Sequence, residues 1–484
     1  MVSLQPLRTV TLSRSWPLTA VYPYKADILD PTTPIFTFYF PGNRDTTVFV
    51  SGTNASVLNN QCGIQPLTTP ALYSSTYNSA IIGGLEYDCS PCLSTAASLG
   101  YGPWAEIVNM SNGSLISSSS LPCPFFPVTS YSGPLVGLTY DLLDGFLIAS
   151  VSYNVNELIF YFIPLTELGT LFSGKFPSIY FTVMVDIPDT HFSIFLSQPL
   201  LWNGNILVPA NYGDYSQNIW MIPISTLFEN MQPGGPRGSS ITAGNIYQVY
   251  APGNIKSGPA SVMLYPTSSG PKSVIAMSGS SGSTTTVTIW DPSTRSIINQ
   301  VQATWDPSTK SIIKQVAQFD TLSTVPPTPA GSPSSAFYKN TLLMTNGYNS
   351  LMLLDIVSGN VELTTSSVDA SLIPTSRGYV LGTRSTLNNS SVTFDIYKVS
   401  YQNDFEFTNV SVSGSTITGT LYNATTGQAA QYQAVYLVQI ISQYSNYIGD
   451  SVPVASAITD YNGQFTIEYN MTPGLYYGLV YMSS

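Results

Sequence analysis

Twelve residues occur twice, fifteen positions apart, and they limit what this chain can become. The first copy reads Trp290-Asp291-Pro292-Ser293-Thr294-Arg295-Ser296-Ile297-Ile298-Asn299-Gln300-Val301. The second reads Trp305-Asp306-Pro307-Ser308-Thr309-Lys310-Ser311-Ile312-Ile313-Lys314-Gln315-Val316, and ten of the twelve pairs are identical. Each copy closes one apolar strand on an aromatic, turns through Asp-Pro-Ser-Thr and opens another apolar strand. Proline sets φ at the second turn position, and Asp and Ser bond back to the backbone. The unit is therefore a two-strand hairpin, and fifteen residues is too short for a complete structural repeat. It reads as a local duplication inside a larger all-β repeat.

That larger repeat is visible along the chain. Helical periodicity is nearly absent; the best short candidates are 165–172 and 225–231. Strand-like runs appear at 8–12, 35–40 and 46–50, whereas 51–80 reads as loop. A four-strand theme then recurs over about 81–120, 136–168, 192–227, 261–316, 335–364 and 370–401. The phrases Glu157-Leu-Ile-Phe-Tyr-Phe-Ile-Pro164-Leu165 and Asn218-Ile-Trp-Met-Ile-Pro223-Ile224 match as strand, Ile-Pro, then Leu or Ile, and so mark equivalent positions in neighbouring units. Asp355-Ile356-Val357-Ser358-Gly359 is the counterpart of the duplicated turn. Units of about 35 to 60 residues with four short strands each fit a β-propeller of six or seven blades. The strands at 35–50 make the seventh blade or complete the last one. A chain of β-sandwiches is the alternative.

Trp290-Asp291 and Trp305-Asp306 resemble the dipeptide that ends the blades of WD40 propellers. The Gly-His partner of that family is missing, since His191 is the only histidine. The resemblance therefore implies the broad propeller class and not WD40 proper.

From about Asp404 the text changes to six or seven strands in about 80 residues. Here Thr459-Asp460-Tyr461-Asn462-Gly463-Gln464-Phe465-Thr466-Ile467 precedes Pro473-Gly474-Leu475-Tyr476. The pattern resembles the carboxypeptidase-regulatory and Cna-B-like sandwiches, which carry T-D-x-x-G-x-F-x-I and then P-G-x-Y. That resemblance implies an Ig-like sandwich used as a stalk, spacer or adhesion unit. The intramolecular Lys–Asn bond of some such modules is not available, because 404–484 contains no lysine. The expected division is 1–130 as a cysteine-containing β region with the first blade or blades, 131–402 as the remaining blades, and 403–484 as the sandwich.

Composition bears on setting. The 484 residues are 43% hydrophobic and only 8% charged, against about 25% charged in an ordinary soluble protein. Ser, Thr, Asn, Tyr and Gly supply the surface polarity. Acid denaturation works mainly by protonating paired carboxylates, and with 26 acids and 15 Lys plus Arg there is little to protonate. The setting expected is extracellular, hot or acidic; a sticky, adhesive surface at neutral pH is the bland alternative. A formal net charge of −11 argues against nucleic-acid binding, which needs clustered cations. No apolar run reaches the roughly eighteen residues of a membrane span, and the first residues are too broken by Thr, Ser, Arg and Pro for a signal peptide.

Cys62, Cys89, Cys92 and Cys123 read as two disulfides of a secreted chain, with three connectivities open. A four-thiolate zinc site is the competitor, and a redox Cys-x-x-Cys lacks its βαβ surroundings. Asn54, Asn109, Asn112, Asn388, Asn389, Asn409, Asn423 and Asn470 stand in glycosylation sequons, although so Asn-, Ser- and Thr-rich a chain produces several by chance.

No catalytic constellation stands out. His191 would be the only histidine base available, and a lone histidine beside an aromatic is more often a packing residue. Carboxylates for glycoside cleavage are conceivable among Asp141, Asp144, Glu157, Asp186, Asp189 and Asp214, but turn aspartates are usually backbone caps. Loop aromatics that stack on sugars are the better candidates: Tyr212, Tyr215 and Trp202, with Tyr247 and Tyr250 behind them and Trp220 assigned to the core. No metal or cofactor is expected. The expectation is a non-enzymatic surface protein, resembling in composition and architecture the tail-spike and receptor-binding proteins of viruses of hyperthermophilic, acidophilic archaea. Its implied partners are host surface glycan or surface-layer protein and other subunits of a virion or surface assembly, with the chain itself oligomeric. A cellular surface-layer or filament protein, and a secreted polysaccharide hydrolase or lyase, are the alternatives.

Overall fold

The computed structural model describes residues 3–13, 22–27, 35–39, 46–51, 54–59, 63–65, 72–74, 76–87, 101–112, 114, 116, 132–153, 157–187, 199–211, 217–235, 241, 247–250, 260–268, 270–281, 284–306, 311–315, 335–338, 341–345, 350–365, 371–374, 379–385, 391–400, 405–444 and 447–482. The chain is all-β and propeller-like in arrangement. Sheet 1 consists of Tyr22–Asp27, Ile35–Tyr39, Thr46–Ser51 and Asn54–Asn59. Sheet 2 places Gly63–Gln65 and Leu72–Ser74 along one side of Ser79–Tyr87 and Tyr101–Asn109 along the other. Sheet 3 holds Ser132–Asp141, Phe146–Tyr153, Glu157–Pro164 and Phe181–Asp186; sheet 4 holds Leu200–Trp202, Asn205–Asn211, Gln217–Pro223 and Tyr247–Tyr250.

Sheet 5 runs Ala260–Thr267, Gly270–Ser281, Thr284–Asp291, Ser296–Asp306 and Ser311–Gln315. Its fifth strand is the product of the duplication: Trp290 faces Ile297 across the first turn, and Trp305 faces Ile312 across the second. Sheet 6 holds Ser335–Tyr338, Thr341–Thr345, Ser350–Asp355 and Val361–Thr365. Sheet 7 holds Ser371–Pro374, Tyr379–Ser385 and Ser391–Ser400, and its fourth strand is Ser3–Ser13 from the other end of the chain. Thr9 Oγ1 donates to Asp395 Oδ1 at 2.6 Å across that pair, 386 residues apart in sequence.

The sheets touch their neighbours in chain order, and the seventh touches the first. First strands meet first strands: 132–141 against 200–202, 200–202 against 260–267, and 22–27 against 371–374. Outer strands meet outer strands, as 311–315 against 361–365 and 3–13 against 54–59. The first strands therefore line the middle. A sheet packed between two neighbours is buried on both faces, which explains the unbroken apolar phrase at 157–164. Successive strand residues point to opposite faces. Leu158, Phe160 and Phe162 pack with Ile206, Val208 and Trp220 of sheet 4. Ile159, Tyr161 and Ile163 pack with Ile81 and Ile107 of sheet 2 and with Leu138 of their own sheet. Sheets covered on both faces offer few positions for charge.

Local rules set the connections. Asp141, Asp291 and Asp355 end strands, and each Oδ1 accepts the N–H two residues on: from Leu143 at 3.2 Å, Ser293 at 3.0 Å and Val357 at 2.9 Å. The fifth turn residue takes positive φ: Gly145 at 79°, Arg295 at 55° and Gly359 at 69°. Pro164 and Pro223 stand at the junctions of strand and helix, with φ −54° and −58°, and helices follow at Leu165–Glu167, Leu168–Phe172 and Ile224–Glu229. The region read as loop at 51–80 contains the strands 54–59, 63–65 and 72–74. The last two are three residues each, and pairing along the nine-residue strand 79–87 makes them, not apolar alternation of their own.

The last 80 residues form two three-stranded sheets: Phe405–Ser413, Thr416–Asn423 and Gln464–Glu468 in one, Ser451–Ile458, Ala434–Ile440 and Tyr476–Met482 in the other. Ile417, Leu421, Phe465 and Ile467 from the first meet Val435 and Leu437 from the second in one core. The motif read in the sequence has a mechanical basis. The buried Thr459 hydroxyl donates to Ala430 O at 2.6 Å and accepts from Gln433 N at 2.8 Å. Asp460 Oδ1 accepts Asn462 and Gln464 N–H, each at 2.8 Å. Gly463 has φ +75°, and a Cβ there would lie 2.3 Å from Leu421 O.

Candidate functional site

In a four-stranded antiparallel sheet, the turn after the first strand and the turn after the third emerge at the same end. The Asp141 turn, the Asn203-Gly204 turn and the 267–270 turn all follow first strands, so they share one end of the ring. The sandwich sits on that end. Its hairpin Ser442–Tyr444/Tyr447–Ile448 pairs with the free edge of strand 132–141, Tyr140 opposite Gln443 and Asp141 opposite Ser442. Leu142 N donates to Ile441 O at 2.9 Å. Asn203 N donates to Asp450 Oδ2 at 2.6 Å, and Tyr436 lies over Gly270. On sheet 7, Lys398 Nζ meets Glu406 Oε1 at 2.9 Å, and Tyr422 holds the other oxygen of Glu406 at 3.0 Å. Since 132–141 is a first strand, the hairpin lies at the mouth of the ring's middle.

At the opposite end second and third strands meet, Tyr153 with Glu157, Asn211 with Gln217 and Ser281 with Thr284. Tyr212 and Tyr215 fall in sequence between Asn211 and Gln217, which pair at that end; both tyrosines lie outside the described residues, as do His191, Asp189 and Asp214. Tyr247 and Tyr250 belong to the fourth strand of sheet 4. Trp202 is not a surface aromatic. It is 5% exposed, packs with Val262, Ile275 and Trp290, and its Nε1 donates to Ser273 O of sheet 5 at 3.2 Å. Preceding the Asn203-Gly204 turn made it look loop-borne, but its strand is the first of its sheet, and the ring buries first strands. Trp220 is core, as the strand position required.

The carboxylates weighed for hydrolysis divide between the two ends. Glu157 stands directly opposite Asp186 on neighbouring strands at the open end, a placement that brings side chains to about 5 Å between Cβ atoms. Asp141 and Asp144 belong to the sandwich end. Among the described residues no three His, Cys, Asp or Glu side chains cluster to hold a metal ion, and no helix is long and apolar enough to cross a membrane.

Cys62, Cys89, Cys92 and Cys123 lie outside the described residues, as do Asn388 and Asn389. Asn54 opens its strand. Asn112, Asn409 and Asn470 are exposed. Asn109 and Asn423 are half-buried and occupied: Asn109 Oδ1 accepts Ser111 N–H at 2.8 Å, and Asn423 Oδ1 accepts Thr425 and Thr426 N–H at 2.9 Å each. The two most exposed aromatics among the described residues, Tyr432 at 70% and Tyr461 at 65%, both lie on the sandwich. Tyr432 carries φ +56°, a rare conformation for a bulky residue, and no periodicity announces it.

No family model matches this chain, and no curated protein matches it. Among solved structures it is similar to the crystal structure of BamB from Moraxella catarrhalis, at 8% identity, covering 96% of this chain and 100% of that one with a TM-score of 0.28. A likeness of that size carries no argument about function.

Proposed function

We propose that this protein is a non-enzymatic surface attachment protein, a tail spike or adhesin, which holds host surface glycan or surface-layer protein through ring loops. We further read the ring as a seven-bladed β-propeller over 1–402 and the last 80 residues as an Ig-like sandwich of the carboxypeptidase-regulatory type. The observation that carries the functional reading is the position of the sandwich. It occupies one mouth of the ring and leaves the other, where Asn211 pairs with Gln217, for a ligand. Tyrosines suit sugar faces because they bury large area at low entropy cost. The low charge and the exposed sequons Asn112, Asn409 and Asn470 support an extracellular or virion-surface setting, and the cysteines fit disulfides there.

The test is binding of the full chain to host-envelope polysaccharide and to surface-layer protein. Tyr212→Ala and Tyr215→Ala are expected to weaken binding about tenfold each, the scale of one contact worth about 1.4 kcal/mol. Trp202→Phe, Tyr432→Ala and Tyr461→Ala leave binding unchanged on this reading. Loss of binding confined to the Tyr432 and Tyr461 variants would move the site to the sandwich and sink it.

The opposition of Glu157 and Asp186 favours a second reading, a polysaccharide hydrolase. Shortening of the bound polymer that disappears in Glu157→Gln would establish it.

A further inference from the structure

Asp141 and Asp450 are buried acids, 1% and 2% exposed, at the contact between hairpin and ring. Ser442 joins them. It stands opposite Asp141 in the strand register, and its hydroxyl accepts Asp450 N–H at 2.8 Å. Asp141 Oδ1 accepts Leu143 and Asp144 N–H, but Oδ2 is buried with no hydrogen-bond partner. An ionised carboxylate placed so is a poorly compensated buried charge, and the neutral acid is not. We propose that this contact is a proton-controlled latch: the paired strands Ser442–Tyr444 and Tyr447–Ile448, with Asp450 beside them, stay docked over the ring mouth while Asp141 and Asp450 carry protons, and release when those protons leave to solvent.

Among the described residues no cation faces either carboxyl, and hydrogen bonds alone oppose protonation. The charged group facing Asp141 is Asp144 of its own turn, which repels it. The described hairpin residues Ile441, Ser442 and Gln443 carry no charge, and the groups facing Asp450 are Asn203, Ser273 and Ser451. Lys272, next to Ser273, is engaged with Asp291. Tyr140, opposite Gln443, is pushed upward by burial and stays neutral. Burial, reinforced by Asp144, raises Asp141 from 3.8 to about 7 against the pull of the turn N–H groups. Burial raises Asp450 too, against the pull of Ser273, Asn203 and Ser451. A carboxyl raised on docking favours docking in acid. Its contribution is complete below about pH 4, fades as pH rises, and is gone above about 7 for Asp141.

Hydrogen exchange of the intact chain between pH 4 and 8, corrected for the intrinsic pH dependence of exchange, tests this. The Leu142 and Asn203 amides report docking, since they donate to Ile441 O and Asp450 Oδ2; strand 416–423 is the internal reference. Protection of both reporters is expected to fall at least tenfold from pH 5 to pH 8 while the reference holds. In Asp141→Asn combined with Asp450→Asn, the fall shrinks to less than twofold. Constant protection of the reporters in the native chain overturns the latch, whether or not the variant folds. A loss shared equally by strand 416–423 overturns it as well, since that is general unfolding, and so does an undiminished fall in a folded double variant.

Discussion

Gly463 and Arg295 occupy the same kind of backbone position with opposite fitness. Gly463→Ala forces a methyl to within 2.3 Å of Leu421 O at φ +75°, so thermal denaturation should show a loss of roughly 2–4 kcal/mol. Arg295 sits at φ 55° where the equivalent turns have Gly145 and Gly359. Arg295→Gly should stabilise the chain by roughly 0.5–1 kcal/mol, seen as a raised denaturation midpoint. Single residues of this sort were legible in the sequence: Asp-x-x-x-Gly after a strand, and Thr-Asp-x-x-Gly in the sandwich, each state a hydrogen-bond pattern. Trp202 was not, because its neighbours Asn203 and Gly204 describe a turn and say nothing of the sheet packed above it. Asp450 was not either, since its meaning depends on Asn203, 247 residues away.

Elements were legible where their own composition decides them. The strand 157–164 and the helix after Pro164 follow from apolar run and proline alone, whereas 63–65 and 72–74 exist only because the longer strand 79–87 accepts them. Strand 270–281 is tied to the next turn by Lys272, which bonds Asp291. Burial alone would raise Asp291, but Lys272, Ser293 and Thr294 outweigh it and bring the carboxyl to about 2. A depressed acid contributes stability above its ordinary range and loses it as pH falls toward that value. Lys272→Met should therefore cost roughly 1 kcal/mol at pH 6, modest because the lysine is half in solvent. In urea denaturation the gap from the native chain should narrow as pH drops below about 3.

At the scale of the molecule, closure was the illegible part. Local pattern showed six repeats, but not that Ser3–Ser13 pairs with Ser391–Ser400, because no short-range rule joins segments so far apart. Removing residues 3–13 should leave 391–400 as an open edge and remove one of the two contacts between sheets 7 and 1, that with 54–59. The expected result is a lower, broader thermal transition with aggregation, measured by calorimetry and light scattering. The same closure sets a timetable for synthesis. At roughly 5–20 residues per second, a ribosome needs roughly 20–80 s to travel the 386 residues from Thr9 to Asp395. For that interval the first strand made is a bare, chargeable-poor edge waiting for the last strands of the ring. A nascent chain of this kind is most exposed to mispairing with its neighbours on the same message, and slowing translation should lower the yield of folded protein.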